Sequence, residues 1–137
     1  MKITYAKVMS FDQEGELVER FLEIFPKGEI VANRATCAEN VNFPWHAFRD
    51  MLPQPLRERY RVARNALVAE RDAARETTRA SAAQVEYAPS RDGREGLENE
   101  FSYHYQLTPA QQAEEAVNAA YRQKFAALFG EFAGKIP

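Results

Sequence analysis

The sequence predicts an α+β fold: a small N-terminal antiparallel β-meander, a long central helix, a short strand and a C-terminal helix. Three observations favour it: apolar residues alternate near the N-terminus, alanine and arginine dominate residues 56–84, and a helix-capping sequence opens the last segment. A chain of 137 residues can bury one core, so we expect a single domain. Its predicted parts are the meander with its connection (1–43), a helical arm (44–84), a loop (85–100), and the strand with the C-terminal helix (101–137).

Short apolar runs separated by turn sequences predict the meander over residues 2–34. Residues 2–11 alternate in polarity as a half-buried strand does. A turn then precedes the same pattern, Gly-Glu-aliphatic-Val, at residues 15–18 and again at 28–31, which favours two further strands. Apolar pairs also give residues 13–25 a helical period, so the order strand, helix, strand stays open as an alternative.

Two helices are predicted after the meander. Residues 33–43 show no sustained period, so we expect them to form a connection. Pro44 and Pro53 bracket an apolar segment, which predicts a short helix between them. The long helix follows over residues 56–84. Beyond Leu67 its apolar face holds only Ala, Thr and Ser, so it should pack closely against another helix, and self-association is one way to provide that helix.

The last part of the chain begins with a break in the pattern. Residues 88–96 combine Gly, Pro and charged side chains, which predicts an exposed loop. Residues 100–107 alternate in polarity, which predicts a short strand. Thr108, followed by Pro109 and a glutamine, is a helix start, and this helix should end near Gly134. Its predicted apolar face consists of Val117, Ala120, Tyr121, Phe125, Leu128, Phe129 and Phe132.

Six arginines of the predicted central helix recur at helical spacing. Because successive residues turn by about 100°, these six side chains share one narrow face, which we call the arginine stripe. The segment that holds it, residues 44–84, carries eight basic and five acidic residues, although the whole chain has a net charge of −2. The stripe consists of Arg57, Arg61, Arg64, Arg71, Arg75 and Arg79.

Acidic neighbours offer an ordinary explanation for the stripe. Glu58, Asp72 and Glu76 can form ion pairs three and four residues away, which would leave a solvated and internally paired face. The N-terminal half of the stripe has Glu58 alone to balance its charge, so we expect any acidic partner or anion there. Aromatic residues could add contacts, although each is also suited to packing in a core. The predicted binding residues are Arg57, Arg61, Arg64, Arg71, Arg75, Trp45, Tyr60, Tyr103 and Tyr105.

Motifs for catalysis, metals and cofactors are not evident in the sequence. His46 and His104 lack the spacing of a metal site, and no phosphate-binding glycine loop is present. Cys37 has no positioned base in its sequence context and suits a small buried apolar position. We therefore expect neither a cofactor nor a metal, and we expect the protein not to be an enzyme.

A small chain with a patterned charged face and no catalytic signature resembles in general character the accessory and inhibitor proteins of bacteria and their phages. We therefore expect a non-catalytic, homo-oligomeric adaptor or inhibitor, such as a homodimer, that holds an acidic protein partner. The alternative is that the protein sequesters a nucleotide or other anionic small molecule between subunits. Nucleic-acid binding is a third hypothesis, which the acidic net charge of the chain disfavours. No stretch is apolar enough to span a membrane or to act as a signal peptide, so we expect a cytoplasmic location.

Overall fold

A computed structural model describes residues 1–11, 15–86 and 108–137, with the backbone alone for residues 82–86. The fold is α+β and is dominated by helices, with one small sheet. In chain order the described elements are β1 (Lys2–Thr4), α1 (Tyr5–Phe11), α2 (Glu16–Ile24), β2 (Glu29–Val31), α3 (Arg34–Glu39), a 3₁₀ helix (Trp45–Met51), α4 (Gln54–Glu86) and α5 (Pro109–Ala133).

The sheet has two antiparallel strands, β1 and β2, with Ile3 opposite Ile30. The prediction of a three-stranded meander is therefore wrong, and the alternative order of strand, helix, strand is correct for residues 16–24. The apolar residues of α2 recur every three to four positions, which buries Phe21 completely on one helical face. Residues 5–11 also form a helix rather than a strand, and Val8 is the residue of this helix that is buried in the core.

Two glycines in this region have positive φ angles. Gly15 precedes α2 with φ of 88°, and Gly28 precedes β2 with φ of 76°. Residues other than glycine rarely adopt positive φ angles of this size. The carbonyl of Gly28 accepts a hydrogen bond from the Tyr5 backbone N–H at 2.8 Å, which joins this turn to the start of α1.

Residues 34–39 form helix α3, so the prediction of an irregular connection over residues 33–43 is wrong for this segment. A capping box starts the helix. The Asn33 side chain accepts a hydrogen bond from the Thr36 backbone N–H at 2.9 Å, and the Thr36 hydroxyl accepts one from the Asn33 backbone N–H at 3.0 Å. The helix has only six residues and a short apolar pattern, so this cap rather than periodicity marks it in the sequence.

The later helices agree with the sequence. The segment between Pro44 and Pro53 is a 3₁₀ helix, and α4 is continuous over the predicted range. Thr108 caps α5: its hydroxyl accepts from the Gln111 backbone N–H at 3.1 Å, and the Gln111 side chain accepts from the Thr108 backbone N–H at 2.9 Å. The predicted loop at 88–96 and the whole predicted strand at 100–107 lie outside the described residues.

The chain divides into two compact units. Unit 1 comprises Met1–Leu67 and Arg122–Pro137, and its core is aromatic: Phe21, Phe48 and Phe129 have no exposed surface. Unit 2 comprises Val68–Tyr121.

Within unit 2, α4 contacts α5 through polar groups. The Tyr121 hydroxyl donates a hydrogen bond to the Glu70 carboxylate at 3.0 Å, and Glu114 pairs with Arg75 and Arg79. The part of α4 beyond Leu67 thus makes polar contacts with a helix of its own chain.

Among the helices that the structure describes, none combines the length and apolar character needed to cross a membrane.

Candidate anion-binding pocket

A pocket of about 240 Å³ in unit 1 collects four arginines, and we call it the arginine pocket. The 3₁₀ helix and the first three turns of α4 supply its walls. The 3₁₀ helix ends at Met51 and α4 starts at Gln54, so these two helices follow each other closely in the chain. Leu52, between them, is 1% exposed and fixes the junction in the core. The lining residues are His46, Arg49, Asp50, Arg57, Tyr60, Arg61, Arg64 and Asn65.

Backbone carbonyl groups hold Arg57 in place. Its guanidinium donates hydrogen bonds to the carbonyl oxygens of Asp50 at 3.0 Å and of Leu52 at 3.1 and 3.3 Å. These carbonyls stand at the C-terminal end of the 3₁₀ helix, where helical partners are lacking and a cation is favoured. Arg57 therefore joins the two helices and is pre-oriented at the pocket wall.

Two further arginines are held by contacts that leave their charge uncompensated. Arg49 Nη1 donates to the His46 carbonyl oxygen at 3.3 Å. The guanidinium carbon of Arg64 lies 5.3 Å from the ring centroid of Phe125, a cation–π contact with α5. Arg61 differs, because its Nη2 lies 2.5 Å from a Glu58 carboxylate oxygen in an ion pair that is more than half exposed.

The arginine pocket has an excess of positive charge. Within the described ranges, no carboxylate oxygen lies within 4.0 Å of the guanidinium nitrogens of Arg49, Arg57 or Arg64. Asp50 lines the pocket and Glu58 pairs with Arg61 at its edge. Four guanidinium groups against these two carboxylates leave a net charge of +2. Arginine stays protonated at any physiological pH, so this charge is permanent.

A histidine and a tyrosine form the neutral part of the lining. His46 Nδ1 lies 3.1 Å from the Tyr60 hydroxyl oxygen, within hydrogen-bond distance. Burial lowers the pKa of His46, and the charges of Arg64 and Arg49 lower it further, while Asp50 acts in the opposite direction. Burial raises the pKa of Tyr60 against the opposing influence of Arg64 and Arg49. At neutral pH both groups are uncharged, and the guanidinium groups supply the positive charge of the lining.

The pocket unites four of the predicted binding residues: Arg57, Arg61, Arg64 and Tyr60. Trp45, also predicted, lies in the core instead, with 3% exposure and its indole N–H donating to the Asn40 carbonyl oxygen at 2.9 Å. Its ring packs against Phe129, with centroids 6.0 Å apart. Tyr103 and Tyr105 lie outside the described residues.

The distal half of the arginine stripe, in unit 2, meets acidic groups. Arg71 lies 3.3 Å from the Asp72 carboxylate, and Arg75 lies 3.8 Å from that of Glu114, which Arg79 also contacts. Internal pairing, the ordinary explanation offered by the sequence, therefore holds for this half, although Glu114 comes from α5 rather than from the same helix. Arg71 and Arg75 do not line the arginine pocket.

Sequence reasoning missed the contribution of the 3₁₀ helix to the pocket: His46, Arg49 and Asp50. Arg49 and His46 are three residues apart in a segment predicted to be helical, which places them on one face. Their position beside Arg57 depends on the angle of the chain at Leu52 and Pro53. No sequence pattern specifies that angle.

Cys37 and the acidic residues offer no competing site in the described part of the chain. Cys37 has no exposed surface, and burial raises the pKa of its thiol to about 12. No three His, Cys, Asp or Glu side chains come together as a metal site would require within residues 1–11, 15–86 and 108–137.

A second concavity of about 440 Å³ also lies in unit 1. Apolar side chains contribute much of its lining, including Ala38 of α3 and Leu67 of α4. Its charged residues are Arg34, Lys124 and Glu131, so it lacks the charge excess of the arginine pocket.

Comparisons of the chain with protein-family models, with curated proteins and with solved structures found no match. Function is therefore inferred from the residues of the arginine pocket and from their geometry.

Proposed function

We propose that this is a non-catalytic binding protein of the cytoplasm, a homo-oligomeric adaptor or inhibitor that holds an acidic protein partner in its arginine pocket. One observation carries the proposal. Arg49, Arg57 and Arg64 converge on one concavity, and no described carboxylate lies within 4.0 Å of their guanidinium groups. Such an arrangement costs electrostatic energy until an anion enters, so it is suited to recognition.

The chemistry of the lining favours binding over proton transfer. Guanidinium groups remain charged at neutral pH and neither accept nor release protons, whereas they form directional hydrogen bonds to anions. His46 is hydrogen-bonded to Tyr60, an arrangement that orients the imidazole ring within the wall. These groups can therefore position an acidic side chain without a chemical step.

The size of the pocket favours a side chain over a whole nucleotide. Its volume of about 240 Å³ is below the roughly 300–1,000 Å³ of sites that enclose drug-sized ligands. One acidic side chain of a partner fits this space, and the rest of that partner would lie on the surrounding surface. Exposed charges near the pocket, such as Glu58 and Arg61, would then form the rim of the interface.

Sequestration of an anionic small molecule is the second candidate. The pocket supports it because aromatic and imidazole rings, those of Tyr60 and His46, stand beside the arginines. A nucleotide would need to extend beyond the pocket, and a second subunit could provide the additional surface. Nucleic-acid binding has less support, since the net charge of the chain is −2 and half of the arginine stripe is paired with acids.

Comparative co-purification from native host lysate tests the main proposal. The pocket variant combines Arg49→Gln with Arg64→Gln, and the control combines Arg20→Gln with Arg59→Gln, which removes the same charge from exposed positions outside the pocket. We expect an acidic protein to accompany the wild type and the control and to be lost from the pocket variant. Far-UV circular dichroism confirms that all three proteins are folded.

If every protein that accompanies the wild type is recovered in equal amount with the pocket variant, the main proposal is refuted. Isothermal titration against a nucleotide panel tests the second candidate: micromolar affinity that depends on Arg49 and Arg64 would favour it. Light scattering after size-exclusion chromatography measures the oligomeric state independently of both.

A further inference from the structure

We propose that the group received by the arginine pocket is a phosphomonoester dianion, such as a phosphorylated serine, threonine or tyrosine side chain. This inference rests on the proposed function and names the chemistry of the bound group. The same dianion occurs on small phosphorylated metabolites, so the shared chemistry is the phosphomonoester itself. The charge of the pocket, the arrangement of its hydrogen-bond donors and its volume favour such a group.

Charge favours a dianion over a single carboxylate. The four pocket arginines are opposed by Asp50 and by Glu58, which leaves +2 to be neutralised. A carboxylate would neutralise half of this excess. A phosphomonoester carries a charge of about −1.5 to −2 near neutral pH, because its second pKa is about 6.

The arrangement of donors favours a tetrahedral group. Arg49 enters from the 3₁₀ helix, whereas Arg57, Arg61 and Arg64 enter from successive turns of α4, so donors reach the pocket from two walls. A carboxylate offers two oxygens in one plane, which one arginine fork can satisfy. A phosphomonoester offers three terminal oxygens that point in different directions, and it can use donors on both walls at once.

The donors are also held before the anion arrives. Backbone carbonyls fix Arg57, the Phe125 ring supports Arg64, and the His46 carbonyl accepts from Arg49. Together with a hydrogen bond between Arg64 and the Tyr60 hydroxyl, these contacts occupy only some of the five N–H groups that each arginine carries. Pre-orientation lowers the entropy lost on binding and so favours a small ligand group over an extended surface.

The volume fits one phosphate group with its attached side chain. Liquid water occupies about 30 Å³ per molecule, so the pocket of about 240 Å³ holds the equivalent of about eight waters. A phosphorylated side chain displaces several waters and keeps its backbone outside.

Titration with two matched probes tests the inference. Phenyl phosphate and phenylacetate share a phenyl ring and differ in the anionic group, and each is titrated at about pH 7.5, where the phosphate is a dianion. Binding is measured from the nuclear magnetic resonance signals of the His46 ring. We expect phenyl phosphate to bind at least about tenfold more tightly than phenylacetate, because charge-assisted hydrogen bonds strengthen with ligand charge. Arg64→Gln should weaken phenyl phosphate by about tenfold, and Arg59→Gln should leave it unchanged.

A second pair of probes distinguishes a phosphorylated protein side chain from a small phosphorylated metabolite. The two probes are free O-phosphoserine and a short peptide that contains phosphoserine. Tighter binding of the peptide supports a protein side chain as the ligand, whereas equal or weaker binding supports a small metabolite. Both results keep the phosphomonoester dianion as the bound group.

Phenylacetate binding as tightly as phenyl phosphate would overturn the inference, and so would the absence of phosphate binding to the wild type. In either case a partner protein that still requires Arg49 and Arg64 would leave the proposed function standing. If phenyl phosphate does not bind and recovery of the partner protein does not depend on Arg49 and Arg64, both proposals are refuted.

Discussion

Replacement of Gly130 by alanine should weaken the contact between α5 and the start of α3. A Cβ atom at this position would lie 2.2 Å from the Asn33 carbonyl oxygen and 2.8 Å from the Arg34 Cα atom. Both are backbone atoms. The capping box of Asn33 and Thr36 and the hydrogen bond from the Cys37 N–H to the Asn33 carbonyl hold that backbone in place.

The expected loss of stability follows from how far the new Cβ atom would fall short of a normal contact distance. Carbon and oxygen in contact stand about 3.3 Å apart, so α5 would have to shift by about 1 Å. Such a shift disturbs Phe129, which is fully buried and whose ring lies 5.8 Å from that of Tyr60. Overpacking costs about 1–3 kcal/mol, and a clash with backbone atoms belongs at the upper end of this range, about 3 kcal/mol, whereas alanine stabilises a helix relative to glycine by about 1 kcal/mol. We expect a net loss of about 2 kcal/mol, which corresponds to a melting temperature lower by about 8 °C.

Urea unfolding followed by tryptophan fluorescence measures this loss, because Trp45 is the single tryptophan of the chain and is buried in the same core. Glu131→Ala is the matched control, since Glu131 is the adjacent, exposed residue of α5 and its free energy of unfolding should change by less than about 0.5 kcal/mol. If the free energy of unfolding of Gly130→Ala equals or exceeds that of the wild type, α5 does not approach Asn33 as closely as this structure shows.

Three further results are expected. Cys37 should react with a thiol reagent only after unfolding, because it is fully buried and its thiol pKa is raised to about 12; rapid reaction in native buffer would contradict this. Thr108→Ala should cost about 1 kcal/mol through loss of the α5 cap and should speed amide exchange in the first turn of that helix, whereas unchanged exchange would argue against the cap. The folded protein lowers the pKa of His46 below its ordinary value of 6.5, so the unfolded chain binds this proton more readily. The resulting contribution to stability is present above about pH 6.5 and is lost as the pH falls through the folded pKa. Urea unfolding across this pH range should show a smaller pH dependence for His46→Gln than for the wild type, and equal slopes would exclude His46 as the source.

The titration of His46 depends on groups from both walls of the pocket. Arg49 and Asp50 lie on the 3₁₀ helix, and Tyr60 and Arg64 lie on α4. An anion between these walls would oppose the arginine charges and raise the pKa of His46. Anion binding should therefore be accompanied by proton uptake below neutral pH, which calorimetry in buffers of different ionisation enthalpy detects.

Local signals in the sequence were sufficient for the later helices. Thr108 and Gln111 define the start of α5 because the capping box needs only residues close in sequence. The length of α4 and the stripe of Arg57, Arg61 and Arg64 follow from composition and from the fixed turn of about 100° per residue. The excess of positive charge at the N-terminal half of the stripe could also be predicted, from the shortage of acids there.

The N-terminal region shows where local signals fail. The segment 2–11 alternates in polarity, yet only Lys2–Thr4 is a strand, because pairing with β2 and burial of Val8 settle the outcome. Residues 16–24 fit two periods, and burial of Phe21 in the core selects the helix. Such choices depend on contacts between residues far apart in the chain, which the local pattern does not contain.

By itself the sequence determined the chemical character of α4, since the guanidinium groups and their angular spacing are properties of neighbouring residues. Only the tertiary structure decided which arginines remain without acids. Glu114 reaches Arg75 and Arg79 from a helix distant in sequence, and the junction at Leu52 brings Arg49 beside Arg57. The physical reason is that charge balance depends on distances in space, and those distances are set by the packing of separate elements rather than by the order of residues.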